Sequence, residues 1–361
     1  MKQSLLSFKF LKTAVLFSLL LAIVFAACSK NDSNPPPPPD KTALQDTIDV
    51  AQSLYDGTVE GTKPGQYEVG SKAALQTAID AGTGVVADAA VTQAQVTSAT
   101  ANVHAAIETY KSHLIKEISA ANLMGFWKFN GNPNDSSGNG RNGVATQGHA
   151  YYGAGNPTLT ADRFGRSAMA YHFDNGGNIE VPFTTSLNPQ QMSISLWCKK
   201  SPGGRTLNAD TYTLVSLDRW YGYKLQYQLA NKIFFTVRTV RTAGDTGYVN
   251  QDDETAVLDN ETWYHVVVTF KPGEMNFYIN GDLVKSWTGN DAPGNPVALA
   301  GPVNFVIGQD LPTSEYSTVD GSDNYVNWGG FFSGDIDDVM FYNVVLDGPQ
   351  VKSIFENQKS L

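Results

Sequence analysis

The chain has 361 residues, of which 42% are apolar, 11% aromatic and only 17% charged, with 33 glycines. It is long enough for more than one domain, and this turn-rich, aromatic balance suits an all-β protein. The formal charge is −10, and −13 once residues 1–27, with three Lys and no acid, are set aside; that excludes the basic patches that nucleic acid or an anionic membrane surface requires.

Lys2, Lys9 and Lys12 precede an apolar run, Thr13 to Ala27, that ends in Phe25-Ala26-Ala27-Cys28. A basic start and an apolar core of this length make a targeting segment, so residues 1–27 are kept out of the fold. A membrane-spanning anchor is the other reading, but the run falls short of the ~20 residues that spanning takes. Small residues before Cys28 resemble a bacterial lipobox, and Phe25 fits the looser Bacteroidetes-type lipoprotein pattern. The resemblance implies that Cys28 is lipidated and becomes the N-terminus, anchoring the protein to the outer membrane at the cell surface. Residues 28–40 hold five consecutive prolines, which favour extended polyproline II and form a semi-rigid tether. Cys198 shares an apolar strand phase with Ile194 and Leu196, so a buried free thiol is expected and no intrachain disulfide.

Residues 41–117 read as three helices. Leu44, Ile48, Ala51 and Leu54-Tyr55 form one apolar stripe; Ala74-Leu75, Ala78-Ile79 and Val85-Val86 form a second. The third comprises Val96, Ala99, Val103, Ala106-Ile107, Tyr110 and Leu114, behind a capping box of Thr92 and Gln95. Ser71 is the expected N-cap of the second helix. With Tyr67-Glu68-Val69-Gly70 leading into it, the unit resembles the FIVAR-type three-helix modules of bacterial surface proteins. That implies a spacer or adhesion element, and the lack of clustered titratable groups fits a spacer.

Residues 122–361 are a β-domain. Period-two alternation marks strands at Met124–Asn130, Met169–Phe173, Met192–Lys199, Tyr212–Leu217, Tyr223–Leu229, Lys232–Thr239, Asn304–Ile307 and Gly334–Tyr342. Between Glu261 and Trp287 three further strands follow one another, broken at Lys271-Pro272-Gly273-Glu274 and at Asn280-Gly281. Asn-Gly is the strongest short hairpin signal, because both residues tolerate the positive φ of a type I′ turn. This stretch is expected in the middle of an antiparallel sheet. Asp347 and Gln350 can cap a short closing helix.

Five motifs in order resemble the laminin-G-like, concanavalin A-type jelly-roll family. They are Gly125–Gly143, Ala168–Pro182, Met192–Lys200, the Trp263-to-Gly281 hairpin region and Phe332–Phe355. The expected fold is thus mainly β, an antiparallel jelly-roll sandwich behind a small three-helix bundle. Glycosidases on this jelly roll carry paired carboxylates on one strand in a Glu-x-Asp-x-x-Glu arrangement, and no such string occurs. Asp335-Ile336-Asp337-Asp338 has acids without the glutamates and matches a fold-conserving stretch of the family. No Gly-x-Ser-x-Gly elbow, His-Glu-x-x-His or Cys-x-x-Cys is present. An enzyme is not expected.

The resemblance also implies one structural Ca²⁺ at the sandwich rim, held by Asn130, Asp135 and an acid from the Asp335–Asp338 cluster, Asp337 among them. The family often has Asp where this chain has Asn130, which lowers the expected charge. A loop held by Asx hydrogen bonds fits the same residues. For a ligand, the aromatic loops Arg219-Trp220-Tyr221 and Asn327-Trp328 are the candidates, with rings to stack on sugar faces while Arg219 and Asn327 hold hydroxyls. Core or edge cover is the plainer reading of those rings. The function expected is a non-catalytic surface lipoprotein that captures an extracellular glycan, with a surface or host protein as the alternative partner and a degenerate glycosidase a distant third. The membrane is met only through the lipid anchor.

Overall fold

A computed structural model of the protein describes residues 37–202, 212–242, 244–301 and 303–360. The targeting segment, Cys28 and most of the tether lie outside the described residues. The first unit has three helices, α1 (Thr42–Gly57), α2 (Ser71–Ala87) and α3 (Gln93–Ser112). Their stripes close one core around Leu44, Ile48, Leu75, Ile79, Val96, Val103 and Tyr110. The Thr92–Gln95 capping box forms in full at the start of α3. The start of α2 differs from expectation, because Gly70 occupies the N-cap position with φ 93° and has no side chain to cap with. Glu60, ten residues earlier in the chain, takes that role: its carboxylate accepts the Lys72 amide at 2.6 Å. A capping group that arrives through tertiary folding leaves no local sequence signal.

Sixteen strands follow among the described residues. In chain order they are β1 (Leu123–Trp127), β2 (Val144–Thr146), β3 (Thr158–Thr160), β4 (Ala170–Phe173), β5 (Asn178–Val181), β6 (Met192–Lys200), β7 (Tyr212–Leu217) and β8 (Tyr223–Gln228). Then come β9 (Lys232–Thr242), β10 (Asp245–Val257), β11 (Tyr264–Lys271), β12 (Glu274–Ile279), β13 (Asp282–Thr288), β14 (Asn295–Pro296), β15 (Phe305–Ile307) and β16 (Gly334–Tyr342). They form two antiparallel sheets. Sheet I runs β13-β12-β11-β6-β16-β4-β3, with β1 also on β16; sheet II runs β10-β9-β8-β7-β15-β5-β2, with β14 also on β9. Between the sheets lies an apolar core that includes Trp127, Phe173, Leu196, Tyr223, Phe235, Phe270, Phe305 and Phe341. The architecture is the expected jelly-roll-like sandwich.

Asn280 and Gly281 both take positive φ, 52° and 82°, as the type I′ turn between β12 and β13 requires. The three strands of that stretch pair in succession, but they run out to an edge of sheet I and not through its middle: β13 pairs with β12 alone. Cys198 is a buried free thiol, and burial pushes its pKa up to about 12.

The outer face of sheet I is covered. Helix α4 (Gly348–Gln358), opened by the Asp347–Gln350 capping box, lays Val351 against Val267, Tyr278, Met340 and Tyr342. Its Phe355 ring stacks near Trp197 and His265. The helical unit rests on this same helix. Ser353 Oγ and Asn357 Nδ2 of α4 donate to the Thr62 carbonyl at 2.6 and 2.9 Å, and Lys116 reaches Asp347 at 2.9 Å.

Candidate functional site

The outer face of sheet II has a different character. On β8, Tyr223, Leu225 and Tyr227 point into the core, so the alternation of a strand sends Lys224 and Gln226 outward. Register extends the pattern sideways. Lys224 stands between Ser216 of β7 and Thr236 of β9, and Gln226 between Thr213 and Phe234. Arg238 of β9 lies opposite Tyr248 of β10. The result is a polar face with aromatic residues at one end.

The turn between β7 and β8 brings the rings there. Asp218 and Arg219 adopt left-handed backbone at φ 58° and 46°, an uncommon conformation for two consecutive non-glycine residues. Gly222 closes the turn, and a Cβ there would meet the Leu217 carbonyl oxygen at 2.2 Å. This tight reversal throws Trp220 back over the sheet. Its ring lies 3.8 Å from Lys224 Nζ and edge-on to Tyr248 and Phe234, with centroids 5.9 and 6.5 Å apart. The Arg238 guanidinium lies over both Tyr221 and Tyr248, at 5.1 and 5.9 Å. Trp220 and Tyr221 are each 37% exposed and Tyr248 41%, so the rings form an accessible platform on a buried polar floor.

That floor is incompletely satisfied. Thr213 Oγ1 and Gln226 Oε1 are buried cross-strand neighbours without a hydrogen-bond partner. Such groups cost stability unless something occupies them. Lys224 is buried too, and desolvation lowers its pKa to about 8 against the opposing pull of Asp310. Burial likewise raises Asp218 to about 6.

Two aromatic loops were expected to supply the site, and they do meet. Tyr221 donates its hydroxyl to Asp323 at 2.7 Å, and Arg219 Nη1 reaches the Asp323 carbonyl at 3.4 Å. Trp328 is 53% exposed and packs edge-on against Tyr325. Asn327 accepts from the Tyr151 hydroxyl at 3.0 Å. Trp328 makes no ring contact with the Trp220 cluster, so the two loops present neighbouring aromatic groups and not one continuous stack. Arg219 departs most from expectation. It is 2% exposed, its Nε held by Asp310 at 2.9 Å, and Asp310 also takes the Tyr316 hydroxyl. Arg219 is an internal tie beneath the platform, because its left-handed backbone turns the side chain inward while Trp220 turns out.

The residues proposed for calcium do not fit a metal. Asp135 Oδ1 accepts the amides of Phe126 and Ser137, and Oδ2 accepts Ser137 Oγ and the Arg141 amide, all at 2.8–3.0 Å. Its lone pairs are consumed by its own loop, the Asx arrangement. Asp337 sits elsewhere, bound by Arg163 at 2.6 Å, and Asp338 shares the same guanidinium at 2.9 Å. Asn130 contributes only its carbonyl, to Asn132. Among the described residues no three His, Cys, Asp or Glu side chains gather as a metal would need.

Sequence reasoning missed Phe234, Arg238, Tyr248, Lys224, Gln226 and Thr213. All but Tyr248 lay in expected strands, and their outward phase was the available signal. Residues 173–352 match the Laminin_G_3 family model, described as the concanavalin A-like lectin/glucanases superfamily. The sandwich is similar in fold to that superfamily. Over 76 residues the chain is 38% identical to a gellan lyase of a Bacillus species, a stretch that is 21% of this chain and 3% of that enzyme. Solved structures similar to this chain include domain 4 of AbnA, an extracellular arabinanase from Geobacillus stearothermophilus, in complex with arabinotriose. The identity there is 19% with a TM-score of 0.45, covering 64% of this chain and 98% of that one. The binding domain of Paraclostridial Mosquitocidal Protein 1 is similar at 16% identity and a TM-score of 0.45, covering 67% of this chain and 53% of that one.

Proposed function

We propose that the concanavalin A-like domain is a non-catalytic glycan-binding module, displayed at the cell surface by a lipid anchor on Cys28 and held off the membrane by the tether and the FIVAR-like helices. The observation that carries this reading is the exposed platform of Trp220, Tyr221 and Tyr248 on a polar sheet face, with Lys224 and Arg238 against its rings. Sugars offer apolar C–H faces to rings and polar edges to hydrogen-bonding groups, so this combination suits them. The family's range, which spans lectins and glucanases, is compatible with it. A binding role fits better than hydrolysis, because Asp310 and Asp323 beside the platform are engaged by Arg219, Tyr316 and Tyr221. A glycan array with the full chain tests the reading. Trp220→Ala and Tyr248→Ala should each weaken binding roughly thirtyfold, the ~2 kcal/mol typical of an interfacial aromatic anchor. An array without a bound glycan, or variants that bind as the parent does, would overturn it.

A further inference from the structure

The platform carries two cations that are not tied into ion pairs among the described residues. Lys224 Nζ rests against the Trp220 ring, and Arg238 lies over Tyr221 and Tyr248. Arg238 donates only to Thr246 Oγ1, at 3.4 Å, with its side chain. Neither forms an ion pair with a described residue, although the protein is strongly acidic and thirteen other described Lys, Arg or His side chains do. The nearby acids are otherwise occupied. Asp310 is held by Arg219 and Tyr316, and Asp323 by Tyr221. Asp218 lies beneath the turn, where it interacts with Arg219, Arg238 and Glu315. Asp252 stands opposite Phe234, in the row of Gln226 and Thr213.

Register places the two cations as diagonal neighbours, since Lys224 faces Thr236 and Arg238 is two residues further along β9. Diagonal neighbours of this kind lie about 7–8 Å apart on a sheet face, a gap that one carboxylate can bridge. Arg offers a planar fork that matches a carboxylate, and Lys adds a point charge. Resting on the glycan-binding reading above, we propose that the ligand is an acidic glycan whose sugar units carry carboxylates, with Lys224 and Arg238 holding one carboxylate and the adjoining sugar lying along the next row, that of Gln226 and Thr213. Asp252 beside that second row disfavours a densely charged, sulfated chain and suits one weak charge per ring.

The probe is an oligogalacturonide, compared with the same oligosaccharide fully methyl-esterified, titrated calorimetrically into the full chain. The acid form should bind at least tenfold more tightly than the ester, and the difference should shrink in 0.5 M salt as charges are screened. Lys224→Met and Arg238→Met should each lower acid affinity more than ester affinity, so that the preference for the acid form falls below threefold. Lys224→Arg, which keeps the charge, should retain the preference, and Arg238→Met still tests the pair should Lys224→Met fail to fold. Equal affinity for acid and ester would overturn the inference and leave the glycan reading intact, as would binding of neutral glycans alone. A chain that binds no glycan at all would overturn both.

Discussion

Replacing Arg219 with Met separates an internal tie from a ligand contact. Arg219 and Asp310 are 2% and 1% exposed, so removing the guanidinium leaves a carboxylate buried with the Tyr316 hydroxyl as its side-chain partner. Breaking a buried pair from one side typically costs 3–5 kcal/mol. Two features argue for the lower end: the pair is single-pronged, with Arg219 Nη2 lacking an acceptor, and Lys224 lies in the field of Asp310. A loss of about 3 kcal/mol corresponds to a fall of about 6–12 °C in the Tm of a domain of this size. The double variant Arg219→Met, Asp310→Asn should recover part of that loss, because no charge is stranded. Differential scanning calorimetry measures both. An unchanged Tm for Arg219→Met, together with lost glycan binding, would refute the reasoning and return Arg219 to the surface as a ligand residue.

His265 is buried between Trp197 and Phe355, and desolvation, aided by the Arg163 charge, depresses its pKa to about 3. The unfolded chain then binds this proton more tightly, at about 6.5, so its contribution to stability is lost as pH falls from 6.5 towards 3. Urea midpoints of His265→Gln should fall less steeply over that range than those of the parent; parallel curves would be inconsistent with a buried neutral imidazole. Asp135→Ala should lower the Tm through loss of four loop hydrogen bonds, whereas chelator or millimolar Ca²⁺ should leave the parent's melting curve unchanged; a calcium-dependent rise would restore a metal. Cys28→Ala should abolish acyl labelling and release the protein from membranes, and a variant that stays acylated and membrane-bound would rule out the lipid anchor.

What was legible in the sequence followed local rules. Alternation located most strands, Asn280-Gly281 marked its turn, and both capping boxes, at Thr92 and Asp347, formed as their spacing indicates. Strand β10 was not legible. Its Asp245–Val257 sequence is polar because an edge strand pairs only with β9 and buries little beyond Val249 and Ala256. With β10 hidden, Tyr248 was hidden too, and with it one wall of the platform. The aromatic loops were visible as composition, but which of their residues turned inward was set by the backbone sign at Asp218 and Arg219. Likewise, the oxygen-rich loop around Asp135 announced a cluster of acceptors without showing that its own amides would fill them.

The seating of the helical unit on α4 gives the sandwich a back and a front. The helical unit meets the back through the Thr62 carbonyl against Ser353 and Asn357 and through the Lys116–Asp347 bridge. The Trp220 platform belongs to the opposite sheet, so the whole thickness of the core lies between it and the helical unit. Tension from a captured polymer would therefore load the packing between the sheets, where Phe305, Tyr223 and Phe341 interlock, before it reached the contacts at Thr62.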